Sequence, residues 1–107
     1  MTTSRVVLVL LVATLFAGCV FVQPTVEGKK VRVLTAGEVT RCGSLGTLTS
    51  NVPDRVGAIP RGQEAVQDDV TLNAKNAAAE MGGDTVVPTS ELRGGKQTFN
   101  VYRCLAQ

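Results

Sequence analysis

Apolar and polar positions divide the chain into stretches with different rhythms. Val6 to Phe16 is apolar apart from Thr14. Val20 to Lys30 has no clear period, and Pro24 and Gly28 interrupt it. Val31-Arg32-Val33-Leu34 predicts a first strand, and Ala36-Gly37-Glu38 suits a turn. Val39 to Thr49 reads as a second extended stretch, with Gly43 and Gly46 placed as a bulge or bend would place them. Pro53, Asp54, Gly57, Pro60 and Gly62 make residues 51–62 a loop.

The clearest periodicity lies in Glu64 to Met81. Val66, Val70, Ala74, Ala77, Ala78 and Met81 recur at three and four residues and predict one apolar helical stripe. Glu64, Asp68 and Asp69 lie in the first half, where they complement the helix dipole, and Gly82 follows as a C′ residue. Leu72 falls on the side opposite the stripe. Thr85-Val86-Val87 predicts a short third strand ended by Pro88, and Gly94-Gly95 marks a turn. Gln97 to Leu105 predicts a fourth strand, with Phe99 and Val101 on one face and Tyr102 and Cys104 on the other. The order strand, strand, helix, strand, strand predicts an α+β two-layer sandwich, β-β-α-β-β, with one helix packed on a small sheet.

The first stretch has a different character. Met1 to Arg5 is short with one cation, the apolar run follows, and Ala17-Gly18 are the small residues a signal peptidase requires. Cys19 directly after them, in Leu15-Phe16-Ala17-Gly18-Cys19, points to lipoprotein processing, with Cys19 as the lipidated first residue. Two or three acyl chains there give stable anchoring, since one chain alone is marginal. The competing reading is an uncleaved anchor helix, but the uncharged stretch Val6 to Val22 reaches only the lower end of the ~17–25 residues a spanning helix needs. The expected organisation is a signal peptide at 1–18, a lipidated tether at 19–30 and a single small domain at 31–107. Val20 after the cysteine, where aspartate would signal inner-membrane retention, points to the periplasmic face of the outer membrane. The inner membrane and the cell surface are the alternatives.

With Cys19 lipidated, only Cys42 and Cys104 remain. In an exported domain they are expected to form one disulfide, closing a loop of about 60 residues worth roughly 4 kcal/mol in the chain-entropy model. A domain this small is marginal on core burial alone, so the staple matters. There is no Cys-x-x-Cys spacing and no histidine to activate a thiol, which argues against redox chemistry.

Composition narrows the function classes. Without histidine, Ser-His-Asp and Cys-His catalysis and the usual zinc sites are excluded. Asp68-Asp69 with Glu64 could hold a hard cation, but neighbouring helical residues point apart and no further ligand converges. Gly94-Gly95-Lys96 lacks P-loop spacing. The mature charges nearly cancel, so no nucleic-acid footprint is present. Lys29-Lys30 with Arg32 is a small basic cluster beside the anchor, read as a solvated linker end. The chain is therefore expected to be no enzyme and to hold no cofactor and no metal.

Several short motifs together resemble a known family. Cys42-Gly-Ser-Leu-Gly46, Asn73 to Met81 running into Gly82-Gly83-Asp84-Thr85-Val86-Val87, and Tyr102-Arg103-Cys104 resemble the RcsF-like lipoprotein domain, shared with small uncharacterised proteobacterial outer-membrane lipoproteins. The resemblance spans Val31 to Cys104 and implies a disulfide from Cys42 in the second strand to Cys104 in the last. This chain has two cysteines in that span where RcsF has four, and it lacks RcsF's long Pro-rich linker. The small-lipoprotein relatives are the nearer match.

Two function classes follow. One is an envelope lipoprotein whose non-catalytic domain is an interaction or structural module, membrane-bound through Cys19 and meeting an envelope protein partner. The alternative is a binder of a small ligand or envelope polymer through the 51–62 loop, or RcsF-like envelope-stress sensing. Leu72, Arg55 and Arg61 are the candidate partner contacts.

Overall fold

The computed structural model describes residues 22–105. Residues 1–18 and Cys19 therefore lie outside the described residues. Strands β1 (Arg32–Val33), β2 (Gly43–Asn51), β5 (Thr85–Pro88) and β6 (Lys96–Arg103) form one sheet in the order β1-β5-β6-β2. Between β2 and helix α1 (Gln63–Glu80), β3 (Arg55–Val56) and β4 (Ile59–Pro60) make a small ribbon. The fold is α+β, as the pattern predicts. The loop expected over 51–62 instead contains this hairpin, because Val56 and Ile59 flank a Gly57 turn and pair across it.

The sheet is mixed. β1 runs parallel to β5, while β6 runs antiparallel to both β5 and β2. β1 and β2 therefore point the same way from opposite edges, and residues 34–42 must cross a sheet face to join them. Helix α1 covers one face. On strand β5, Val86 belongs to the core with the helix, whereas its neighbour Val87 is buried outside that cluster. Val39, in the crossing segment, is likewise buried outside it. A strand alternates its side chains between faces, so the crossing segment gives the second face a thin apolar cover. A one-turn 3-10 helix at Ala36–Glu38 stiffens this segment, with the Glu38 carboxylate accepting from the Thr35 backbone N–H at 3.0 Å and hydroxyl at 2.9 Å.

Under the helix, Val66, Val70, Ala74 and Ala78 meet Val31, Val86, Phe99 and Val101. Phe99, Val70, Val86 and Val101 are fully buried, each worth about 1.5–3 kcal/mol relative to exposure. The buried row is a strict i, i+4 series. Ala77 is only half-buried and Met81 is exposed, because a straight i, i+4 row drifts away from residues three along. Small Ala74 and Ala78 let the helix approach the sheet closely. The helix ends as Gly82 predicts: it sits at φ 82°, and Gly83 N–H bonds back to the Ala78 carbonyl at 2.9 Å. Along β2, the register slips between Ser44 and Gly46, where a φ of 127° at Gly46 builds the expected bulge.

One difference bears on function. Residues up to Lys30 were expected to be a tether, yet those from Gln23 are fixed to the helix. Asn76 donates to the Gln23 carbonyl at 2.8 Å and accepts from the Thr25 backbone N–H at 3.1 Å. Gly28, at the start of a one-turn 3-10 helix (Gly28–Lys30), is buried against Asn76, where a Cβ would clash with the amide. Asn76 acts as a surrogate backbone partner for a segment that has no strand to join.

Candidate functional site

Chemistry-bearing side chains gather at two opposite ends of the helix. At its C-terminal end Cys42 and Cys104 form the disulfide, with Cα atoms 4.3 Å apart. Beside it Asp84, leaving the helix for β5, takes the Cys104 N–H on Oδ1 and the Leu105 N–H on Oδ2, each at 2.8 Å. The Thr85 hydroxyl adds a third bond at 3.0 Å. Burial would raise the Asp84 pKa, but these backbone and hydroxyl donors and the Arg103 charge outweigh it and hold the carboxyl below its ordinary value. Arg103 itself donates to the Gly82 carbonyl at 2.6 Å, closing the helix end. This corner is a clamp on residues 104 and 105, with Asp84 and Arg103 both committed.

At the other end, the β3–β4 ribbon is held by Arg61. Its guanidinium donates to the Pro53 carbonyl at 2.7 Å and to Asp69 Oδ2 at 2.6 Å. The pair is largely enclosed, with side chains 12% and 21% exposed. Arg61, expected as a partner contact, is placed as a strut between ribbon and helix. Arg55 is exposed, as expected. With Asp54, Arg61, Gly94 and Gly95 it lines a shallow polar recess of about 190 Å³. The tip of the ribbon carries Val56 and Ile59, 55% and 71% exposed.

Leu72 is less open than its place opposite the apolar stripe suggests. It is half-buried on the outer side of the helix. Asn76 lies four residues on, and so shares its flank, and that is the flank the 23–30 segment occupies. Glu64 and Asp68 are exposed, and Asp69 is taken by Arg61. Among the described residues no group of three or more His, Cys, Asp or Glu could hold a metal.

Sequence reasoning missed a polar ladder along the helix. Ser50 is fully buried, donates to the Val70 carbonyl at 2.7 Å and accepts from Asn73 at 3.0 Å. Gln67 donates to Gln97 at 2.8 Å, and Gln97 donates on to the Ser90 carbonyl at 2.9 Å. Asparagines inside a helix are poor helix formers, so Asn73 and Asn76 were the available signal.

The family described as "Domain of unknown function (DUF4156)" matches residues 22–104. The chain belongs to this family. The match begins where the segment docked on Asn76 begins and ends at the disulfide cysteine, so the family unit coincides with the folded unit. No curated protein and no solved structure matches the chain.

Proposed function

We propose that the protein is a lipid-anchored envelope protein, attached through Cys19 and facing the periplasm from the outer membrane, whose domain acts by contact and not by turnover. The observation that carries this reading is Leu15-Phe16-Ala17-Gly18-Cys19 after a short basic start and an apolar run. The Cys42–Cys104 disulfide suits an oxidising compartment. Among the described residues no helix is long and apolar enough to cross a membrane. The resemblance to the RcsF-like lipoprotein domain supports the same reading.

Contact, in this reading, is made by the β3–β4 tip with Arg55, where Val56 and Ile59 are exposed. Intact mass of detergent-extracted protein tests the anchor: acyl additions on a chain starting at Cys19 are expected, and Cys19→Ser should remain unprocessed or be released. Finding residues 1–18 still attached to an unmodified Cys19 sinks it. Pull-down from crosslinked envelopes tests the contact role. The polar recess at Arg55 favours a second reading, a small-ligand or polymer binder, which co-purifying glycan would support.

A further inference from the structure

We propose that the surface formed by residues 23–32 is a membrane-facing patch that seats the domain against anionic headgroups in a fixed orientation. This rests on the lipid-anchor reading of Cys19 and goes beyond it. Only three peptide links separate Cys19 from Val22, a maximum reach of about 11 Å. Beyond Val22 the chain is no free leash, because Asn76 holds Gln23 and Thr25, and Gly28 is wedged against the helix. The domain cannot turn far from the bilayer, and the part nearest to it is the docked segment.

That segment has the chemistry of an interface. Val26 is 73% exposed, the most exposed large apolar side chain among the described residues. Lys29, Lys30 and Arg32 are exposed around it, three cations against the single carboxylate of Glu27, which pairs with Lys30 at 3.5 Å on a fully solvated edge. An apolar side chain ringed by lysines suits a headgroup boundary: the valine enters it, and the lysines meet phosphate oxygens. Lys29, Lys30 and Val26 lie on one turn, so they engage together without ordering cost.

The chain has no tryptophan, so an introduced one is a unique reporter. Val26→Trp and Ile59→Trp would each be made in the full-length lipidated protein and placed in vesicles of phosphatidylethanolamine with phosphatidylglycerol. The lipid carries bromine near the headgroup end of its acyl chains. Flotation and intact mass establish anchoring, and thermal melting establishes folding. The expected result is that the Val26→Trp emission shifts to the blue and is largely quenched, while Ile59→Trp is not. Adding Lys29→Glu and Lys30→Glu should restore most of the Val26→Trp emission. Anchored, folded protein with both reporters equally unquenched, or with Ile59→Trp the quenched one, overturns the orientation and leaves the anchor standing. Protein that neither floats nor carries acyl mass overturns the anchor reading, and the seated domain with it.

Discussion

The two ends of helix α1 are finished in opposite ways. At the C-terminal end a covalent bond, a carboxylate that accepts three hydrogen bonds and a guanidinium lock the last strand to the start of β5. At the N-terminal end one arginine holds a four-residue ribbon, and the ribbon presents Val56 and Ile59 to solvent. The clamp thus joins strands that are distant in sequence, while the ribbon is tied by fewer bonds and leaves both of its apolar side chains exposed. Native proteins draw binding surfaces from such weakly tied regions, because these can adjust without disturbing the core.

The largest expected effect comes from opening the locked end. Replacing Cys42 and Cys104 with serine frees a separation of 62 residues, and should cost about 4 kcal/mol in the chain-entropy account. Chemical denaturation of both forms reads it directly, and a loss below 1 kcal/mol would show that Asp84 and Arg103 hold the corner without the bond. Removing the strut at the other end should do less to the whole and more to the ribbon. Arg61→Ala leaves Asp69 and the Pro53 carbonyl without their enclosed donor, for about 2–3 kcal/mol. Hydrogen exchange should accelerate in residues 53–61 beyond any global change. Equal acceleration across the sheet would mean that the two ends are not separable.

Asp84 sharpens the comparison through pH. Its folded pKa is depressed, so its contribution is complete above the ordinary aspartate value near ~3.9 and is lost as pH falls through the lower folded value. Asp84→Asn should cost about 1–2 kcal/mol at neutral pH through weaker bonds to the Cys104 and Leu105 N–H groups. The gap to wild type should close below about pH 4. A gap constant down to pH 2 would remove the charge from the account. The smallest effect belongs to the ribbon tip. Val56→Ser with Ile59→Ser should change stability by no more than about 0.5 kcal/mol, because both side chains already face water. A larger loss in the melting curve would show the tip to be structural.

The helix, the bulge at Gly46, the turn at Gly94-Gly95 and the buried faces of Phe99 and Val101 were legible because each follows from residues within a few positions. What was not legible spans distance. Arg61 looked like a loose loop cation because its partner, Asp69, sits around a corner on the helix. Residues 23–30 looked like a leash because they carry no helical or strand period, and the residue that docks them, Asn76, is 53 residues from Gln23. β1 is two residues long, and its parallel partner β5 lies beyond the helix, so periodicity alone cannot place it at the far edge. Leu72 illustrates the same limit, since the helical wheel shows its direction and not what occupies that flank.

The docked N-terminal segment also sets an order of assembly. β5 and β6 are neighbours joined by a short turn and can meet early, and β2 can add to β6. By contrast, residues 23–33 find their long-range hydrogen-bond and strand partners at Asn76, Asp84, Thr85 and Val86, so the stretch cannot dock until the helix and β5 exist. Closing so long a loop costs entropy before it returns any contact, which makes it a late and slow event. A chain emerging N-terminus first would therefore keep residues 23–33 undocked for most of its synthesis, the state in which a polypeptide can still be threaded through a narrow channel.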